Sequence, residues 1–489
     1  MNLNFKKSIL IALLFSVIML SGTVHAEDVN QQILDRLNQL EQENEALKKE
    51  YQKLRELVES NKVVVEADDA ETKQNQSNGK IFNLDNEYGY EILDPTTNIN
   101  RKQQLILNKK QQGVLGPNSI TINGGVTAIA NYQSSNEPNL FGYLMRHPTG
   151  NNQVGTVVSE ATIHSAQLGF TANLGDWTTA NVEMLFDPEQ SFGAGTNTAL
   201  TRNQVQVRKA FVLFGNLDKS NFYASLGKMP VSFGLTDTVN PFTASTVWHA
   251  FGGLANGARL GYMNDGFNFS LMAIQGGAQF RSANNPVDGT AVPSRLNNYA
   301  VDVSYENSYS DEGSILFGAS YQKGTAYCQA FPITHFSPCA ENNPAFDVYA
   351  RLLHNNWTVK AEFAKTTDEW PGTFNPSLPQ FAASKVTSFD FGLKYRTTFN
   401  DKPLDYSAEF SRFEAGPSGS EWEKQDQLVL GVSSFLTPSV KLFSEYIRVS
   451  GYAPLNFLSG GHIPGSPEIP VSDISANSDI LMFGVNATF

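Results

Sequence analysis

Few side chains in this sequence are grouped as catalysis requires. Beyond the first 26 residues the histidines are His147, His164, His249, His335, His354 and His462, scattered along the chain. No Gly-x-Ser-x-Gly, phosphate-binding loop or zinc-protease helix accompanies them. Cys328 and Cys339 enclose His335 alone, which is not a zinc-ligand spacing. In an exported chain such a pair is expected as a disulfide that closes a short loop. The sequence therefore predicts no enzyme, no catalytic residue, no metal site and no cofactor.

Charges at alternating positions are more informative. Arg208, Arg259, Arg351, Lys360, Lys394, Arg396 and Lys441 would share the inner face of a curled sheet. So would Glu183, Asp302, Glu306, Asp347, Glu362, Asp390, Asp405, Glu409 and Glu445. Rings of such charge set ion selectivity in a water-filled lumen. They can also pair across strands and stabilise the wall. Arg259, Lys394 and Arg396 are the first expected contacts for an anionic solute.

A second candidate is the stretch from Met229 to Asn256, with Phe233, Asp237, Phe242, Trp248, His249 and Phe251. It follows the fifth strand candidate and forms the third long loop. Its aromatics need burial. Folding into a lumen as a constriction, capping a neighbouring subunit or packing on its own rim would each supply it.

The elements that position these groups begin with a signal. Lys6 and Lys7, an apolar run from Ile9 to Leu20 and Val24-His25-Ala26 read as a secretory signal peptide, 1–26. The run is shorter than the ~20 residues that a spanning helix needs. No cysteine adjoins the cut, so a lipid anchor is not expected. The formal charge of −13 becomes −15 without Lys6 and Lys7, which argues against nucleic-acid binding.

Residues 27–60 read as a coiled coil. Ile33, Leu37, Leu40, Asn44, Leu47, Tyr51, Leu54 and Val58 keep an alternating four-and-three spacing, with Asn44 polar on the seam. A homo-oligomer through this segment is expected. Residues 61–113 read as a polar linker, within which Phe82 to Ile92 is expected to dock at a barrel mouth.

From residue 114 to 489 the period becomes two. About 16 strand candidates follow, joined alternately by long Gly/Pro/Asn-rich links and short turns such as Asp265-Gly266 and Asn355-Asn356. Long loops outside and tight turns in the periplasm are the pattern of an all-β transmembrane barrel with antiparallel strands. Leu481, Phe483, Val485, Ala487 and Phe489 share one face of the last strand, as lipid-facing residues would. Trp177 and Trp357 open strands after short turns, where an interfacial girdle sits. Terminal Phe489 resembles the signal read by barrel-assembly machinery.

The order of signal, Gln/Leu/Glu-rich coiled coil from Asn30 to Leu57, polar linker and barrel ending in Phe489 resembles the legiobactin-receptor-like siderophore porins. The resemblance implies a bacterial outer-membrane porin, embedded in lipid with its coiled coil in the periplasm, that passively admits a ferric siderophore or similar anionic chelate. A general porin, or a phosphate- or anion-selective one, is the alternative. Gly227-Lys228-Met229-Pro230-Val231-Ser232-Phe233-Gly234 is similar to a stretch of the phosphate-selective porins, with Ser232 in place of their proline. A third reading is a structural barrel that tethers the envelope. The chain length predicts no folded plug inside the barrel.

Overall fold

Alternating patterning across the second half of the chain closes into a sheet without edges. A computed structural model describes residues 49, 82–136, 156–186, 205–276, 295–310, 312–328, 339, 341–452, 462–463, 466–470 and 474–489. The chain divides into two units, Met1–Asn78 and Gly79–Phe489. Apart from Lys49, the expected signal peptide and coiled coil lie outside the described residues.

The wall runs β1 (Ile120–Ser135), β2 (Val157–Leu174), β3 (Thr178–Phe186), β4 (Val205–Gly215), β5 (Phe222–Pro230), β6 (Leu254–Asn264), β7 (Phe267–Ile274) and β8 (Asn298–Ser310). It continues with β9 (Gly313–Gln322), β10 (Ala345–His354), β11 (Trp357–Thr366), β12 (Thr387–Phe399), β13 (Lys402–Glu414), β14 (Lys424–Thr437), β15 (Val440–Gly451) and β16 (Asn477–Thr488). Each strand pairs antiparallel with the next, and β16 pairs with β1 to close the barrel. The 17-stranded sheet is these sixteen plus the two-residue strand Phe82–Asn83, which lies parallel to β1.

Turn chemistry fixes the short ends. Asp265 and Gly266 have φ of 46° and 80°, and Asn400 and Asp401 have 50° and 59°. Both pairs suit the mirror-image turns that match strand twist, for which Asn, Asp and Gly are favoured. The opposite rim carries the longer connections. The outward face shows Val212, Phe214, Leu226, Leu260, Phe317, Val348, Phe391, Leu430, Leu481 and Phe483 to the surroundings. A closed wall with an apolar exterior is what hydrocarbon demands, because every backbone group bonds within the sheet. Near the short turns Trp177, Trp357, Tyr395, Phe399 and Tyr406 are exposed, with Trp357 and Tyr395 ring centroids 4.8 Å apart. Among the described residues no helix is long and apolar enough to cross a membrane.

The apolar core sits inside this wall, and it overturns the expectation of an unplugged lumen. From Phe82 onward the expected polar linker is instead two helices, α1 (Asn86–Leu93) and α2 (Lys102–Gln111), joined by a 3-10 turn at Ile99–Arg101. Asp85 caps α1 by accepting the Tyr88 amide at 2.9 Å. Tyr88, Ile92 and Leu93 of α1 and Ile106 and Leu107 of α2 are buried against Phe211, Leu213, Tyr223 and Met272 of the wall. Each such side chain contributes roughly 1.5–3 kcal/mol when withdrawn from water. The segment looked like linker because its buried surface is largely polar: Asn100, Lys102, Gln103 and Gln104 are all enclosed.

Candidate functional site

Two segments occupy the described lumen, the helical plug and the loop after β5, and carboxylates of the wall hold the loop. Thr236 N donates to both oxygens of Glu362 on β11, at 2.9 and 3.0 Å. Val239 N, Thr238 Oγ1 and Asn240 Nδ2 donate to Glu409 on β13. Phe242 N and Thr243 N donate to Glu445 on β15, at 2.8 and 3.0 Å. Three of the acids expected to line an open pore are therefore acceptors for loop amides, which have no ladder partner of their own. Gly234, at φ 71°, lets the loop lie on the wall, since a Cβ there would meet Glu362 Oε1 at 2.5 Å.

The named loop residues all face inward. Phe233 is buried and packs near Phe251, at 5.9 Å between ring centroids. Phe242 stacks on Phe443 at 5.0 Å. Trp248 and His249 lie buried in the short helix α3 (Thr246–Phe251), capped by Ser245. Asp237 accepts the Ile99 amide of the plug at 3.1 Å. Asn100 of the plug in turn donates to the carbonyls of Phe233 and Gly234, at 2.7 and 3.0 Å. Loop and plug are thus one interlocked obstruction.

Lys102, 2 % exposed, closes the plug on itself. Its Nζ donates to the carbonyls of Glu91, Asp94 and Thr97 at 2.6, 3.0 and 3.1 Å, at the C-terminal end of α1 where cations are favoured. Burial lowers its pKa to about 8, against the pull of Asp94. Burial also pushes the Asp94 carboxyl upward, but Lys441 and Lys102 together hold it below its ordinary range.

The expected cations divide into two groups. Arg259 does not line open space. It is 1 % exposed and bonds Gln103 Oε1 at 2.9 Å, the Asn100 carbonyl at 3.4 Å and the Pro230 carbonyl. Arg351 lies between Glu306 and Asp237, at 3.4 and 3.8 Å. Arg208 sits 3.8 Å from Glu183, which Lys209 approaches to 2.6 Å. Sequence alternation missed Lys209. The register slips between Glu183 and Met184, which places Arg208 and Lys209 beside the same carboxylate.

Lys394, Arg396 and Lys441 are brought together. They line a cavity of about 180 Å³ with Tyr90, Asp94, Thr96 and Thr97 of the plug, Thr238 to Pro241 of the loop, and Asp405, Ser407, Ser433 and Phe435 of the wall. Arg396 forks onto Asp405 at 2.7 and 2.8 Å. Lys441 donates to Tyr90 Oη and the Pro241 carbonyl, both at 2.9 Å. Lys394 has no hydrogen bond or ion pair among the described residues. The cavity lies toward the short-turn rim, near Asn400-Asp401 and Pro438-Ser439.

The plug residues at this site went unforeseen. The available signals were the Asp85 cap, the Tyr88–Ile92 spacing and a stretch from Asn98 to Gln112 free of Gly and Pro. Cys328 and Cys339 are bonded, with Cα atoms 5.2 Å apart. Among the described residues no group of three or more His, Cys, Asp or Glu is placed to hold a metal ion.

No family model matches the chain. A UPF0422 protein of Coxiella burnetii (strain RSA 493 / Nine Mile phase I) is 25% identical over 191 residues, which cover 38% of this chain and 37% of that relative. The chain thus spans just over a third of the length of the curated relative it matches. Solved structures of similar form include an anion-selective porin from Comamonas acidovorans, with TM-score 0.47 and 14% identity over 76% of this chain and 99% of that one. OprB of Pseudomonas putida, in its high-pH structure, gives 0.46 and 10% over 75% and 94%. OmpF of Salmonella typhi in complex with daunomycin gives 0.45 and 12% over 76% and 97%.

Proposed function

We propose that this chain is a non-enzymatic outer-membrane porin that passes small anionic solutes down their gradient, past a constriction made by its own plug and loop. The observation that carries the reading is the convergence of Lys394, Arg396 and Lys441 on one cavity of about 180 Å³. A lumen surface with one unpaired ammonium attracts anions and repels cations. Of the inner-wall carboxylates, Glu362, Glu409 and Glu445 serve as acceptors for the loop, and Asp405 is paired with Arg396.

In planar bilayers under a potassium chloride gradient, the zero-current potential should have the sign of chloride preference. Lys394→Gln should move it toward zero. Cation preference in the unaltered protein contradicts the reading.

The narrower reading, entry of a ferric siderophore, draws its support from the family resemblance. Pockets for drug-sized ligands run to roughly 300–1,000 Å³. A ferric chelate therefore fits only after the plug has moved. Liposomes carrying the protein should take up labelled ferric siderophore without an energy source and exclude sugars of equal size. Equal passage of both removes the siderophore specificity and leaves the anion channel. In the same proposal the segment 27–60 lies in the periplasm and gathers subunits as a coiled coil, and Phe489 serves barrel assembly. Loss of the oligomer on deleting 27–60, and of insertion on deleting Phe489, are the corresponding checks.

A further inference from the structure

We infer that the cavity between α1 and strands β12 to β15 is a discrete, saturable binding site for one compact oxyanion, a phosphate or a carboxylate, held partly by the wall and partly by the plug. The inference rests on the anion-channel reading and gives it a bound solute.

Lys394 and Ser407 carry it. They are opposite one another on adjacent strands, β12 and β13. Both line the cavity. Lys394 is half-buried and has no acceptor among the described residues. Ser407 Oγ is buried and has no hydrogen-bond partner among the described residues. The neighbouring charged groups each have hydrogen-bond partners of their own. Arg396 and Asp405 neutralise each other. Asp94 accepts the Thr96 amide and hydroxyl at 3.0 and 2.7 Å and the Thr97 hydroxyl at 2.6 Å. Lys441 serves Tyr90 and Pro241.

What remains is a cation at the cavity and, opposite it on the next strand, a buried hydroxyl, both short of acceptors. Withdrawing an ammonium from water without an acceptor is costly, and an anion taken from solution offsets that cost. An oxyanion presents several acceptor oxygens at once, so it can satisfy both groups. The space is far larger than the roughly 10–15 Å³ that one water needs, yet smaller than a chelate pocket. Tyr90, Thr96 and Thr97 close it from the plug side, so occupancy depends on the docked plug.

The test is calorimetric titration of the detergent-solubilised full chain with inorganic phosphate and, separately, with acetate. Saturable binding of one equivalent is expected for at least one of them. Phosphate alone, acetate alone or both identifies the source. Lys394→Gln should weaken binding roughly tenfold or more, as loss of a charged hydrogen bond does. Lys394→Arg should retain it, Ser407→Ala should weaken it, and Lys365→Gln, on β11 and outside the cavity lining, should leave it unchanged. Should Lys394→Gln fail to fold, judged by heat-modifiable gel mobility, Ser407→Ala and Lys394→Arg decide. No saturable heat with either anion, or equal affinity in Lys394→Gln or Ser407→Ala, overturns the site. Saturable binding without chloride preference in bilayers would instead sink the channel reading alone.

Discussion

Arg259 of β6 donates to the Gln103 side chain of α2 at 2.9 Å, and this contact ties the barrel wall to the segment that fills it. The same guanidinium reaches the Asn100 and Pro230 carbonyls. It therefore pins plug, wall and the base of the constriction loop through one fully enclosed side chain. Arg259→Ala leaves three buried acceptors unpaired, at about 1–3 kcal/mol for each that stays dry. Amide exchange across residues 86–111 should accelerate by at least tenfold while the β-strand signal persists. Unchanged exchange would mean that the plug does not depend on the pin.

The loop should respond to Glu409 in a graded way. Glu409→Gln keeps one carbonyl acceptor, whereas Glu409→Ala removes the acceptor of Val239 N and leaves Thr238 Oγ1 and Asn240 Nδ2 only the Thr243 carbonyl. The alanine variant is expected to cost about 2–4 kcal/mol of loop attachment, with the glutamine variant near half of that. Open-channel current noise, which reports loop motion, should rise in the order wild type, Gln, Ala. Indistinguishable traces would contradict the strap.

Lys102 sets a pH dependence. Its pKa falls from an ordinary 10.5 to about 8 in the docked plug, because burial disfavours the charged form. Between those values the undocked chain binds more protons than the docked one. Docking is therefore weakest below about pH 8 and strengthens as pH rises toward 10.5. A spin label at exposed Gln111 should show a growing immobilised fraction from pH 7.5 to pH 10 (roughly the lower and upper ends of that window). A shrinking fraction contradicts the sign. Lys102→Met should abolish the dependence.

Much of the wall was legible in the sequence, for a physical reason. A strand that separates lipid from a polar interior must alternate, as Phe483, Val485 and Ala487 do against Gly484, Asn486 and Thr488. Short turns such as Asp265-Gly266 carry residues that tolerate positive φ. The inward turn of the loop after β5 was open to inference from its surplus aromatics.

The lumen contents were not legible, because there the usual sorting of residues is inverted. Lys102, Gln103 and Asn100 are buried through hydrogen bonds to partners 5 to 159 positions away, and no local pattern announces such partners. Arg259 was expected at an open surface because alternation gives the face of a strand and says nothing of what fills that face. Arg208 and Lys209 were separated by alternation and reunited by a slip of register.

Removal of the plug tests the central claim, a closed solute channel restricted by its own residues 82–113. Single-channel conductance should be measured in planar bilayers for the full chain and for a variant lacking residues 84–113. A small conductance is expected for the full chain and a several-fold larger one, with weaker anion preference, for the deletion. Equal conductance in a deletion variant that retains the heat-modifiable barrel would show that these helices do not obstruct the path, and would contradict the claim.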